Sequence, residues 1–211
     1  MASVGNSETS SCRRPYELGK RLEQMGRTKA AVLAAARAQL EAGGMREFSM
    51  ESLAKASGVT RQTVHNLFGT RAAVLEALFD QIAVDAGMER MREVMTTSDP
   101  SVMIDRFIAV FSGFWAKNRL LLRRIRGIAA VDPEFGQAVQ ARNQRRQMAA
   151  TRVMERLDNP SDGNKDSRAG RIASLVALTS FEFFDELAES LGSTQAAEEQ
   201  LPSLIRRALG I

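Results

Sequence analysis

The chain has 211 residues, of which 44% are hydrophobic and 26% charged, and its net charge is +4. This balance is typical of a globular protein with one large domain or two smaller ones, and it excludes an intrinsically disordered chain. No apolar run approaches the roughly 20 residues that cross a bilayer, and residues 1–26 contain no readable signal peptide. The single cysteine, Cys12, cannot form an internal disulfide. The sequence therefore predicts a cytoplasmic protein without a membrane segment.

The charge is unevenly distributed along the chain. Residues 1–80 carry +3 and 81–115 carry −2, whereas 116–156 carry +7 and 157–211 carry −4. A basic N-terminal region suits a partner with a phosphate backbone. Charge alone does not establish that partner.

The N-terminal half alternates helix-forming stretches with glycine breaks. Residues 1–26 lack apolar periodicity and are predicted to be a disordered arm. Thr28 is predicted to cap the first helix, which Gly43-Gly44 ends. Thr70 is placed to cap a long helix. The predicted helices are 28–41, a short helix after Ser49, 60–68 and 71–95.

The C-terminal half also has helical periodicity, with apolar residues on one stripe in each segment. A polar, turn-rich loop is predicted at 158–167. The predicted helices are 100–117, 119–130, 133–157, 167–191 and 194–209. No strand and no repeat is predicted, so the fold class is all-α with about nine helices.

Residues 50–68 have the spacing of a helix-turn-helix. Ala54 is small where two helices must cross closely, and Gly58 tolerates the left-handed backbone that the turn requires. Val64 is a branched apolar residue where the second helix packs on the first. Helical hairpins with this pattern also occur in proteins that never bind DNA, so the pattern needs support from its surroundings.

The second helix of this motif is polar on its outward side. Arginine, asparagine and glutamine can make paired hydrogen bonds to base edges in the major groove, and threonine can reach thymine methyls or phosphates. The outward residues are Thr60, Arg61, Gln62, Thr63, His65 and Asn66.

The stretch from Arg27 to Asp80 resembles the DNA-binding domain of the tetracycline-repressor (TetR-type) family. The resemblance rests on the residues that open helix one and on four short motifs. These are Arg27-Thr28, Phe48–Ala54, Ser57–Thr60, Thr63–Phe68 and Gly69–Leu75. It implies a DNA-binding domain at 27–72 and a helical effector-binding and dimerisation domain at 73–211.

The resemblance also implies roles for matched positions. Arg61, Gln62 and Thr63 stand where the family reads bases and phosphates. Ser49 and Arg71 stand at helix starts where the family contacts phosphate, and Arg71 replaces the usual lysine. Helix N-termini with a nearby cation are also sound anion sites on physical grounds.

His65 departs from the family, which typically has tyrosine at this position. One interpretation is a neutral imidazole that replaces the phenol as a hydrogen-bond donor. The alternative hypothesis is that a protonated His65 strengthens a phosphate contact, because histidine commonly titrates near neutral pH.

The last two predicted helices suit dimerisation. Small and large apolar residues share one broad side of 167–191, and 194–209 has an apolar side of its own. Together they could form an intermolecular four-helix bundle; the alternative is a helical hairpin within one subunit. The predicted interface residues are Ile172, Val176, Phe183, Leu187, Leu191, Leu201, Leu204 and Ile205.

An aromatic and methionine-rich set is predicted to line a pocket for a largely apolar effector. The alternative is that this stripe at helical spacing forms ordinary core. The residues are Met88, Met91, Phe107, Phe111, Phe114, Trp115, Leu121, Ile125, Met148 and Phe184.

The basic segment 116–156 is predicted to be amphipathic helices with a solvated basic face. Recognition of an anionic effector or a further DNA contact is the alternative. The arginines concerned are Arg119, Arg123, Arg126, Arg142, Arg145, Arg146, Arg152 and Arg156.

Other function classes have less support. No metal-ligand spacing and no pairing of a nucleophile with a base is visible, so neither an enzyme nor a cofactor is predicted. A nucleoid-type DNA binder would not need a C-terminal region far larger than dimerisation requires. The resemblance therefore implies a homodimeric repressor that binds double-stranded DNA and is released by an unidentified small-molecule effector.

Overall fold

The computed structural model describes residues 13–43, 48–157 and 165–211. These residues form ten α-helices and one short 3₁₀ turn, without a strand. The prediction of an all-α fold is confirmed. The helices are α1 Arg13–Glu41, α2 Met50–Ser57, α3 Arg61–Phe68, α4 Arg71–Asp85, α5 Met91–Thr96, α6 Pro100–Val131, α7 Pro133–Leu157, α8 Lys165–Leu178, α9 Phe181–Ser190 and α10 Thr194–Leu209.

The chain divides into two compact units within α4, one up to Val74 and one from Leu75. The first unit contains α1, α2 and α3 around a small apolar core. Its buried hydrophobic side chains are Val32, Leu33, Ala36, Leu40, Phe48, Leu53, Ala54, Val64, Ala72 and Val74.

Helix α1 begins at Arg13, so the prediction of a disordered arm is wrong for residues 13–26. Residues 1–12, including Cys12, lie outside the described part of the chain. Arginine, lysine, glutamine and leucine between 13 and 27 have good helix propensity, which outweighs the missing apolar period. Thr28 is therefore inside the helix rather than at its cap, and its Oγ1 donates to the Gln24 carbonyl at 2.9 Å.

The predicted long helix 71–95 is broken after Asp85. Gly87 has φ +75°, a left-handed conformation that is open to glycine. A 3₁₀ turn, Met88–Arg90, follows and leads into α5. The apolar periodicity continues through this break, which is why the sequence predicts a single helix.

Helix α6 covers both predicted helices 100–117 and 119–130, and the predicted boundary is a kink. Asn118 has φ −118° and ψ 16°, outside the helical range. Its buried side-chain amide donates to the Phe114 carbonyl at 3.1 Å. The amide therefore satisfies backbone in the turn before the kink.

The predicted helix 167–191 is two helices, because α8 ends at Leu178 and α9 begins at Phe181. Ser180 caps α9, and its side chain accepts from the Phe183 N–H at 3.1 Å. Thr179 is fully buried at the break. The Trp115 Nε1 donates to its carbonyl at 3.1 Å, and the Arg146 Nη1 donates to its hydroxyl at 3.0 Å. Side chains of α6 and α7 thus donate hydrogen bonds to the carbonyl and the hydroxyl of Thr179 at the break.

The prediction of a solvated basic face on 116–156 is wrong for most of its arginines. On α6, Arg119 and Arg123 both pair with Asp185 of α9, at 2.6 and 2.8 Å. Both also reach Glu189 of α9 at 2.6 Å. Their hydrogen bonds, that of Arg123 most strongly, hold the pKa of the Glu189 carboxyl below its usual range. The acidic and basic segments therefore neutralise each other within one subunit.

The other arginines of this segment differ in their surroundings, and Arg126 pairs with Glu182 of α9 at 3.2 Å. Arg142 pairs with Asp80 at 2.6 Å, and Arg156 donates to the Met95 carbonyl at 3.0 Å. Arg146 is buried, and burial lowers the pKa of its guanidinium. Arg145 and Arg152 are exposed and make no ion pair or side-chain hydrogen bond with another described residue, as the sequence predicts.

Glu198 on α10 is half-buried against α6, and a methyl group placed on Gly113 would lie 3.6 Å from its Oε1. Burial raises the pKa of this carboxyl. Because the pKa is higher in the folded state, Glu198 destabilises the fold at pH values where its carboxyl is ionised. Below the pKa of the unfolded state the carboxyl is protonated in both states, and this destabilisation is absent. We therefore expect Glu198→Gln to raise the free energy of unfolding at pH 7.

Urea unfolding of both proteins between pH 3 and pH 8 measures this effect. The advantage of Glu198→Gln should shrink as the pH falls through the folded-state pKa of Glu198. The matched control is Glu199→Gln, because Glu199 is exposed on the same helix. If Glu198→Gln increased the free energy of unfolding by the same amount at all pH values, ionisation of Glu198 would not be the cause.

Candidate nucleic-acid interface

Helix α2 starts with a reciprocal cap formed by two serines. The Ser49 side chain accepts from the Ser52 N–H at 3.1 Å, and the Ser52 side chain accepts from the Ser49 N–H at 3.0 Å. This capping box satisfies two backbone donors that a helix start leaves unpaired. The Ser52 Oγ also lies 3.2 Å from the Gln39 Oε1 of α1. Ser49 is exposed at this helix start, as its predicted role requires.

The turn between α2 and α3 depends on Gly58. Its φ of +70° is left-handed, and the next N–H, that of Val59, donates to the Ala54 carbonyl at 3.0 Å. A side chain at position 58 would strain this turn even though the space around it is open. The predicted helix-turn-helix is therefore present.

Thr60 caps helix α3, and its side chain accepts from the Thr63 N–H at 3.1 Å. Val64 is completely buried and faces inward. The opposite side of α3 is open, with Arg61, Gln62, His65 and Asn66 all exposed.

The exposed side chains form two adjacent rows on α3. Gln62 and Asn66 are one turn apart, and the Gln62 Nε2 donates to the Asn66 Oδ1 at 2.8 Å. Arg61 and His65 form the neighbouring row. Neither makes a side-chain hydrogen bond or an ion pair with another described residue. Thr63 differs, since it is half-buried with its hydroxyl 2.9 Å from that of Thr60.

The start of α4 has the predicted cap. The Thr70 Oγ1 accepts from the Ala73 N–H at 3.1 Å, and Arg71 is exposed at the first helical position. A cation beside a helix N-terminus attracts anions. This arrangement can hold a phosphate.

One side chain of α1 lies near the end of α3. The Lys29 Nζ lies 5.9 Å from the centroid of the Phe68 ring, at the C-terminal end of α3. Arg27 is exposed, and its Nη2 donates to the Gln24 Oε1 at 3.1 Å. The sequence interpretation missed Lys29, although its position one residue after Arg27-Thr28 in a basic stretch was a usable signal.

In the second unit, the predicted pocket residues lie mainly in an aromatic cluster. Phe107 and Phe111 have ring centroids 5.0 Å apart, and those of Phe114 and Trp115 are 4.8 Å apart. Leu121, Ile125 and Phe184 are also buried. Met88 and Met91 are half-buried, whereas Met148 is 55% exposed on α7 and does not belong to the cluster.

The predicted interface residues separate by burial. Leu201 and Ile205 are buried within the subunit, on a helix that packs on α6, α8 and α9, so they are core rather than surface. Leu191 is 40% exposed. The remaining five are half-buried: Ile172, Val176, Phe183, Leu187 and Leu204.

The described residues include no group of three or more histidine, cysteine, aspartate or glutamate side chains that could hold a metal ion. Within the same ranges, no helix has both the length and the apolar character needed to cross a membrane.

Residues 32–78 match the model of the family described as bacterial regulatory proteins, tetR family. The chain is 32% identical over 109 residues to the HTH-type transcriptional regulator EthR of Mycolicibacterium smegmatis. That alignment covers 51% of this chain and 50% of EthR, so the chain spans about half the length of this curated relative.

Solved structures share the fold at low sequence identity. NalD of Pseudomonas aeruginosa, described as the secondary repressor of the MexAB-OprM multidrug efflux pump, aligns with a TM-score of 0.64 at 19% identity. The alignment covers 88% of this chain and 96% of NalD. A TetR transcription regulator from Haloarcula marismortui aligns with a TM-score of 0.58 at 14% identity, covering 87% and 96%.

Proposed function

We propose that the chain is a TetR-type regulator with an N-terminal DNA-binding domain, and that it is a homodimeric repressor that a small-molecule effector releases from a pseudo-palindromic operator. The observation that best supports this proposal is the exposed polar face of α3. Arg61 and His65 have no competing partner among the described side chains, and the buried Val64 anchors the same helix from behind. Arginine in this position can form a paired hydrogen bond to guanine.

The proposed dimer uses the half-buried apolar residues of α8, α9 and α10. Side chains that remain partly exposed on adjacent helices lose further apolar surface when a second copy covers them. A two-fold dimer presents two copies of α3 to successive major grooves, so the half-sites should be about one DNA turn, roughly 34–36 Å, apart.

The proposed effector binds in the second unit next to the aromatic cluster. Trp115 and its neighbours offer ring faces, and the half-buried Met88 and Met91 precede and begin α5, a helix that packs on α6, and have adaptable side chains. The effector lowers operator affinity if it binds more tightly to an arrangement of the dimer that does not fit the operator. The difference between its affinities for the two arrangements limits the size of this effect.

Footprinting on DNA flanking the protein's own gene tests the proposed function. We expect protection of a pseudo-palindrome and loss of protection with one member of a small-molecule panel. A protein that protects all sequences equally and ignores the whole panel would instead be a nucleoid-type DNA binder.

His65 provides a test of pH dependence. If a protonated imidazole contacts phosphate, operator affinity should rise as the pH falls from 8 to 6, because histidine commonly gains its charge in this range. The rise should be absent in His65→Phe. An equal pH dependence in both proteins would leave the neutral hydrogen-bond donor as the correct interpretation.

A further inference from the structure

The N-terminal half of α1 extends beyond the packed part of the first unit. The buried residues of α1 are Val32, Leu33, Ala36 and Leu40, all in its C-terminal half. Every residue from 19 to 27 is exposed, and the family match begins only at residue 32. A helical segment of this length without packing is marginally stable in water. A surface that binds it would stabilise it.

The exposed segment is basic. Residues 19–29 contain the cations Lys20, Arg21, Arg27 and Lys29 and the single acid Glu23. Arg21 makes no ion pair with another described side chain. Residues 19–29 therefore have a net charge of +3, and this excess of positive charge favours an anionic partner.

The position of α1 identifies that partner. Lys29 lies near Phe68, the last residue of α3. The exposed segment of α1 therefore extends away from the C-terminal end of the proposed recognition helix. The 16 residues from 13 to 28 extend about 24 Å at the helical rise of about 1.5 Å per residue. Duplex DNA carries phosphates about every 3.4 Å along each strand. The segment is therefore long enough to follow the backbone over about seven base pairs.

We propose that the N-terminal half of α1 is a second DNA-binding surface, which contacts phosphates flanking the half-site that α3 reads. The proposal rests on the proposed function, because it requires α3 to be placed in a groove. Leu22 and Met25 in the same segment are 57% and 50% exposed. A second copy of the chain that covered these two side chains would be the competing occupant.

The full-length double variant Lys20→Ala/Arg21→Ala tests the proposal on two duplexes. One duplex is the operator obtained by selection on the immobilised wild-type protein, with ten base pairs of flanking DNA on each side, and the other is trimmed to the pseudo-palindrome. We expect the variant to bind the long duplex more weakly. The slope of log K against log salt concentration should fall by about 0.9 for each phosphate that the variant no longer neutralises. Affinity for the trimmed duplex and discrimination between bases should stay unchanged.

Arg145→Ala/Arg152→Ala is the matched control, because it removes two exposed charges from the second unit. Circular dichroism of each variant establishes equal helix content. Equal affinity of wild type and Lys20→Ala/Arg21→Ala for the long duplex would overturn the proposal. A smaller assembly in Leu22→Ser/Met25→Ser, measured by sedimentation, would also overturn it and assign the surface to self-association. If wild type does not prefer the selected duplex over a scrambled one, the proposed function itself fails.

Discussion

Trp115→Ala is expected to lower the free energy of unfolding by about 3 to 5 kcal/mol. The Trp115 side chain is 4% exposed, and its ring packs on Phe111, Phe114 and Phe181 at centroid distances of 5.9, 4.8 and 5.7 Å. The substitution removes this packing and leaves a cavity that a close-packed cluster fills only in part. It also removes the donor that satisfies the Thr179 carbonyl at the break between α8 and α9.

Denaturant unfolding at one fixed protein concentration measures the loss, since the proposed dimerisation would make apparent stability depend on concentration. Trp115→Phe helps to separate the two effects, because it loses the hydrogen bond but retains an aromatic ring and most of the packing. We expect it to cost about 1 to 3 kcal/mol for the buried carbonyl left unpaired. Leu120→Ala on the same helix, at a site 52% exposed, is the control and should change stability by about 0.5 kcal/mol or less. A loss under about 1 kcal/mol for Trp115→Ala would show that the cluster is not core.

Arg61→Ala is expected to reduce discrimination between the operator and its single-base variants by about 1 to 3 kcal/mol, or roughly 5- to 150-fold. Arg61 is exposed on the first turn of α3, and no described residue pairs with its guanidinium. The guanidinium therefore breaks no hydrogen bond or ion pair with another described residue when it binds a base edge. This prediction follows from the proposed function, and fluorescence anisotropy with a set of single-base variants measures it.

Two further variants separate base reading from charge. Arg61→Lys keeps the positive charge but lacks the planar fork that makes paired hydrogen bonds, so discrimination should fall while the salt dependence remains. Arg71→Ala should weaken binding to all sequences to a similar degree and reduce the salt slope by about 0.9 per phosphate. If Arg61→Ala retains full discrimination, Arg61 does not read a base.

The helix-turn-helix could be predicted because its determinants are local. The Thr60 cap and the left-handed Gly58 involve residues within about one helical turn of each other, so their order in the sequence is enough. The site residues on α3 follow from the same register, because Val64 must face inward. The N-terminal part of α1 could not be predicted from apolar periodicity, because residues 19–27 are helical although every one of them is exposed.

The interior breaks of the second unit were harder to predict. The apolar pattern continues through Gly87 and through Thr179, so periodicity predicts one helix where the chain forms two. At Thr179, the break depends on Trp115 and Arg146, which are 64 and 33 residues away. Hydrogen bonds over such distances leave no periodic signal in the sequence.

The sequence by itself therefore determined the fold class, the register of α3 and most of the side chains that α3 exposes. These depend on capping, glycine conformation and helical spacing, which act between near neighbours. Only the tertiary structure decided the role of the basic segment, where Arg119 and Arg123 meet Asp185 and Glu189 across 62 to 70 residues of chain. A charge seen in sequence is exposed or paired according to which helix packs beside it, and that packing is set by the apolar core.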